Sequence, residues 1–153
     1  MGATQHFEGL HLEDAWTPAL PLKVLIFCLA KFPPSLFHPV LLGAEISGVF
    51  TFNWVLNRLG ELFPHDPEIR ESMERRLIEV LIDEVGHIAY NRIAVGPVGM
   101  KVSGAIAAQV LEGNVSTIPE LQALGMDKEA RRQIASFDLS HLPREVLDKA
   151  FFV

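Results

Sequence analysis

Two Glu-x-x-His pairs, Glu8 with His11 and Glu84 with His87, and one lone acid, Glu45, are the residues of this chain best suited to chemistry. Three residues correspond to about 300° around a helix, so both members of such a pair point the same way and can hold one ion together. Glu45 falls in an apolar stripe, His38, Leu41, Leu42, Glu45, Val49 and Phe52. Glu84 and His87 fall in a second stripe, Met73, Leu77, Val80, Glu84, His87 and Asn91. Carboxylates on apolar faces cost several kcal/mol each when buried alone. A divalent cation neutralises them and uses the imidazole as a further donor, so this residue set points to metal binding.

Those stripes need two long helices folded back on each other. The first is expected from Leu36 to Leu59, and Pro64-His65-Asp66-Pro67 makes the turn. Asp66 suits an N-cap, Pro67 the first helical position and Glu68 the positive end of the helix dipole, so a second helix runs to about Arg92. The midpoint of 45 and 84 lies inside the turn, which places Glu45, Glu84 and His87 at one level of an antiparallel hairpin.

Upstream, a helix is expected from about Thr4 to Trp16. Pro18 and Pro21 stop it, a short apolar helix covers about Leu22 to Lys31, and Pro33-Pro34 breaks again. That connection suits a crossover between helices of the same direction. Downstream, Gly96-Pro97-Val98-Gly99 interrupts the pattern before an apolar helix from Val102 to Leu111. Thr117-Ile-Pro-Glu120 reads as a capping box, Asp127 as the cap of a helix to about Ala135, and Pro143 as the first turn of a last helix ending at Val153. No stretch alternates long enough to be a strand, and the fold class is all-α.

At 153 residues and 49% hydrophobic, the chain fits one domain over 1–153. A net charge of −6, with no basic run beyond Arg75-Arg76 and Arg131-Arg132, argues against a nucleic-acid partner. The single Cys28 leaves no internal disulfide framework and fits a reducing cytoplasm, where it reads as an inert core thiol. No signal peptide is visible at Met1-Gly2-Ala3-Thr4, and the apolar run from Val24 to Ala30 is too short for a transmembrane segment.

On Glu8/His11, Glu45 and Asp83-Glu84-Val85-Gly86-His87, the chain resembles the ferritin-like di-metal carboxylate proteins, among them the ribonucleotide reductase small subunit and p-aminobenzoate N-oxygenase. In that group two helices each give a lone Glu and two give Glu-x-x-His. The resemblance covers about residues 5 to 93 and implies a ferritin-like bundle with a long crossover and peripheral short helices over 97–153. It implies a non-haem di-iron, or di-manganese, oxygenase or oxidase that uses O2 on a small-molecule substrate. The metal ligands would be Glu8, His11, Glu45, Glu84 and His87, with Asp83 orienting His11. The family's first lone Glu has no counterpart, because only seven residues precede Glu8. The chain is then a shortened piece of a longer protein, or a second copy in a homodimer supplies the acid, or Glu112 folds back. Val80 stands where the N-oxygenase pattern has an extra His.

Blander readings stand beside these. Glu-x-x-His arises by chance in chains of this length, and the acids can be surface groups and the histidines satisfied core residues. A non-catalytic, metal-poor helical remnant and an iron-binding protein are the alternatives to an enzyme. His38 reads as structural before it reads as a ligand or proton shuttle, Tyr90 as buried, and His65 and His141 as solvent-facing.

Overall fold

The structure, a computed structural model, describes residue 31 and residues 33–126 and 128–150. Glu8, His11, Cys28, Asp127 and the helices expected over 4–16 and 22–31 lie outside the described residues. The chain divides into two compact units, Met1–Pro33 and Pro34–Val153, and all helices described belong to the second. In chain order these are α1 (Pro34–Leu56), α2 (Leu59–Leu62), α3 (Pro67–Thr117), α4 (Pro119–Ala123), α5 (Lys128–Ala135), a 3-10 turn (Leu139–His141) and α6 (Arg144–Ala150). No strand occurs among the described residues.

The α3 helix starts as its sequence demands. Asp66 is the N-cap, its carboxylate accepting from Ile69 N at 3.4 Å, and Pro67 follows in the first turn. Helical structure then runs far beyond Arg92, to Thr117, broken only at Gly96, whose φ of 65° and ψ of 177° are not helical. Backbone in that region is essentially reserved for glycine. Pro97 comes next, where it needs no helical donor. The break expected at Gly96-Pro97 is therefore present, but it occupies a single residue and the arms on either side abut.

Both arms pack on α1. The connection over 57–66 and the hydrogen bonds of Asn91 to His38 and Glu45 set the first arm antiparallel to α1. The second arm runs alongside α1 in the same direction. A Cβ on Gly99 would lie 3.4 Å from Pro39 Cγ, and one on Gly43 would lie 2.8 Å from Ser103 O. Gly96 is thus a one-residue corner in a three-helix, down-and-back arrangement.

Two apolar clusters share α1. Leu42 and Val49 join Leu81, Val85 and Ile88 of the first arm with Leu142 and Val146, while Phe50 and Trp54 join Ala107, Leu111 and Val115 of the second arm with Met126 and Ile134. Ile46 and Phe137 pack against both clusters. Burying side chains of this size contributes about 1.5–3 kcal/mol each.

Gly43 is where α1 and the second arm come closest. An added Cβ would sit 2.7 Å from Ile106 Cγ2 and 2.8 Å from the Ser103 carbonyl oxygen, and backbone cannot step aside. Gly43→Ala is expected to destabilise the unit by about 1–3 kcal/mol in chemical denaturation. An unchanged midpoint would mean that the two helices are not held at this distance.

The remaining helices depart from expectation in detail. Thr117 does not cap α4; it ends α3, its hydroxyl donating to Gly113 O at 2.8 Å. A residue with helical neighbours on its N-terminal side can bond back to them, which the capping pattern alone does not reveal. Pro143 precedes α6 as expected, its carbonyl accepting from Val146 N at 3.0 Å.

By length and composition α1 and α3 are each apolar enough to cross a membrane, with mean hydropathy 1.3 over their most apolar stretch. That stretch is 44% buried in α1 but only 11% buried in α3. Tyr90, expected to be buried, is 70% exposed, and Ile93 and Val98 are 87% and 78% exposed. The stripe geometry explains Tyr90: it follows His87 by three residues, and the His87 side chain is itself more than half exposed.

Candidate functional site: a carboxylate, an amide and two imidazoles

The buried polar groups between α1 and the first arm of α3 form a connected set. Glu45 is 9% exposed and Asn91 3%. The Asn91 amide donates to both Glu45 oxygens, at 3.1 and 2.9 Å, and to the His87 carbonyl at 3.1 Å. On its other side Asn91 Oδ1 lies 2.8 Å from His38 Nδ1. An amide oxygen only accepts, so His38 carries a proton on Nδ1. Asn91 was visible in the sequence as the end of the Glu84 and His87 stripe, but an amide by itself signals no chemistry. It proves to be the hub.

Glu84 and His87 occupy the outer side of the same region. His87 Nδ1 is 3.9 Å from Glu84 Oε2, and His87 Nε2 is 3.9 Å from Asp83 Oδ2. The imidazole therefore stands between two carboxylates of its own helix, too far from either for a hydrogen bond. Asp83 has three-quarters of its side chain exposed, and the His11 it is expected to orient lies outside the described residues. Among the described residues no three His, Cys, Asp or Glu side chains converge on one point.

The expected register is off by about one turn. Asn91 meets both His38 and Glu45, so its level falls between them, and the residue level with Glu45 is close to His87 and not Glu84. The cause lies in the connection. After Leu56 the chain does not turn at once but carries on through α2, so it reverses slightly later than a turn centred on the Glu45–Glu84 midpoint requires.

Electrostatically, both acids are unsettled. Burial pushes the Glu45 carboxyl up from its ordinary value of 4.5, against the lowering effects of the Asn91 hydrogen bond and His87, and Glu84 raises it further. Burial also raises Glu84, opposed by His87 and reinforced by Asp83. A carboxyl raised on folding favours its protonated form in the native state. Its stability contribution is full below the ordinary value and is lost as pH rises through the raised one. Wild-type protein minus Glu45→Gln should therefore show a thermal-stability difference that moves against the wild type between pH 4.5 and neutrality. A difference that is flat with pH would show that Glu45 is not desolvated.

The fold and this site together define an all-α protein with a buried carboxylate, amide and imidazole network between two antiparallel helices. No family model matches the chain, and neither the curated proteins nor the solved structures give a match.

Proposed function

We propose that the chain is a metal-dependent oxidoreductase of the ferritin-like di-metal carboxylate type, acting in the cytoplasm on a small molecule with O2 as co-substrate. The observation that carries the reading is the pair of acids Glu45 and Glu84, raised by burial on facing helices with His87 acting on both. Two oxygens and one nitrogen are the donor set that iron or manganese takes, and a cation there relieves the desolvation of both acids. Among the described residues Glu45, Glu84 and His87 are the donors that would hold it, and because they do not converge on one point as they stand, their side chains would have to turn toward the ion. Glu8 and His11 are the further donors that the sequence offers, with a second copy or an upstream segment as the source of a sixth. When bound, two such ions supply the redox chemistry of O2 activation. The chain itself orients and shields: Asn91 fixes the Glu45 carboxylate, His38 fixes Asn91, and Leu42, Val49, Leu81 and Val85 exclude water from one flank.

Metal content of the purified full chain tests this. Iron or manganese at one or more equivalents supports it, whereas protein that carries none and gains no thermal stability from added Fe(II) or Mn(II) overturns it. A second reading is favoured by one specific observation, the hydrogen bonding of both Glu45 oxygens by the Asn91 amide. In that reading the network is a metal-free device that fixes the pairing of α1 with α3, and the chain is a non-catalytic helical protein.

A further inference from the structure

The unit holds a second concentration of unused polar groups, eight residues beyond Glu45 on α1 and so about 12 Å along its axis. A cavity of about 310 Å³ opens there, lined by Phe50, Asn53, Trp54, Arg58, Ser136 and Phe137. Asn53 is 8% exposed, and its Oδ1 has no hydrogen-bond partner among the described residues. That oxygen is itself closed to the cavity, so the polar contact for a ligand has to come from elsewhere on the wall.

Arg58 supplies it. Its guanidinium carbon sits 3.7 Å from the Trp54 ring centroid, and Nη1 donates to the Trp54 carbonyl at 3.5 Å. The cation is therefore held in place over the ring. Among the described residues no carboxylate pairs with it, although the chain as a whole is acidic. A fixed guanidinium without a counter-ion is a fork for an incoming oxyanion.

The walls specify the body of what Arg58 would hold. Phe50 and Phe137 meet edge to face at 5.4 Å, and Phe50 lies 5.8 Å from Trp54, so the cavity is bounded by rings. Its volume is at the small end of ligand pockets, right for a single ring with one acidic substituent. We propose that this cavity binds a small flat oxyanion, its ring held among the aromatic walls and its carboxylate or phosphate taken by Arg58. The inference does not rest on metal binding at Glu45, Glu84 and His87.

Calorimetric titration of the full chain with orotate and with uridine 5′-monophosphate tests it. Both probes carry a flat ring and an oxyanion, one a carboxylate and the other a phosphate. At least one is expected to bind saturably, with uracil, which lacks the oxyanion, at least tenfold weaker. The tighter of the two probes identifies the oxyanion. Arg58→Gln should weaken that probe at least tenfold, and Glu84→Ala should leave it unchanged. No saturable binding by either probe overturns the proposal, as does an Arg58→Gln protein that binds like the wild type. Should Arg58→Gln fail to fold, the wild-type comparison of orotate or the nucleotide with uracil decides the matter alone.

Discussion

Purified chain titrated anaerobically with Fe(II) is expected to take up about one to two equivalents, the stoichiometry of a di-metal carboxylate centre or of half of one. Glu84→Ala and His87→Ala should each lower the affinity by tenfold or more. These two residues sit on one face of one helix turn, so an ion held by either is within reach of the other. Neither substitution should unfold the protein. His87 has more than half of its side chain exposed and Glu84 about a quarter, and neither side chain makes a direct hydrogen bond within the network; the His87 contact with Asn91 is through its backbone carbonyl, which His87→Ala keeps. Removing Glu84 also removes a carboxylate that burial disfavours, so metal-free Glu84→Ala protein should be at least as stable as the wild type. Unchanged iron uptake in both variants, together with a gain in stability, would leave the metal-free reading standing.

The second large effect belongs to Asn91. Asn91→Leu deletes the donor to both Glu45 oxygens and the acceptor for His38 at once, leaving a buried carboxylate and a ring N–H without partners. Orphaning a buried charged group costs about 3 kcal/mol or more, so equilibrium unfolding should show a loss of this order. Adding Glu45→Leu to the same chain should recover part of it, since the orphan is then gone. Asn91→Asp sharpens the test. It sets a second carboxylate against Glu45, which should lower the melting temperature of metal-free protein and raise its affinity for Mn(II). A stabilised Asn91→Asp protein without metal would mean that Glu45 is already protonated at neutral pH.

Much of this arrangement could be read from residues. The stripe that places Glu45 inside, the Asp66-Pro67 start of α3 and the break at Gly96-Pro97 all follow from local rules. The stripe expected through Val80, Glu84 and His87, by contrast, is rotated from the buried one, which runs Leu77, Leu81, Val85 and Ile88 and leaves Val80 and His87 outward. Three further things did not follow. The register slipped by about a turn because α2 prolongs the descent after Leu56, and a four-residue helix leaves no periodic signal. Asn91 was on the right stripe, yet its importance comes from what it touches on α1. The pairing of Arg58 with Trp54 spaces a cation and an aromatic four residues apart, a pattern common on ordinary helix surfaces. Its emptiness of counter-ions is visible only in three dimensions.

The corner at Gly96 has a consequence for assembly. Were that residue to take helical angles, α3 would become one rod of 51 residues, about 77 Å long, and its second arm would leave α1 altogether. The freed arm would then find the vacated groove on another copy of the chain, the exchange known as domain swapping. One residue of backbone separates the closed chain from that product. Pro97 stands against the exchange, since its ring would clash with the Ile93 carbonyl in a continuous helix, at a cost of about 3 kcal/mol. Gly96 lets the chain turn, and Pro97 keeps it from unbending into a neighbour.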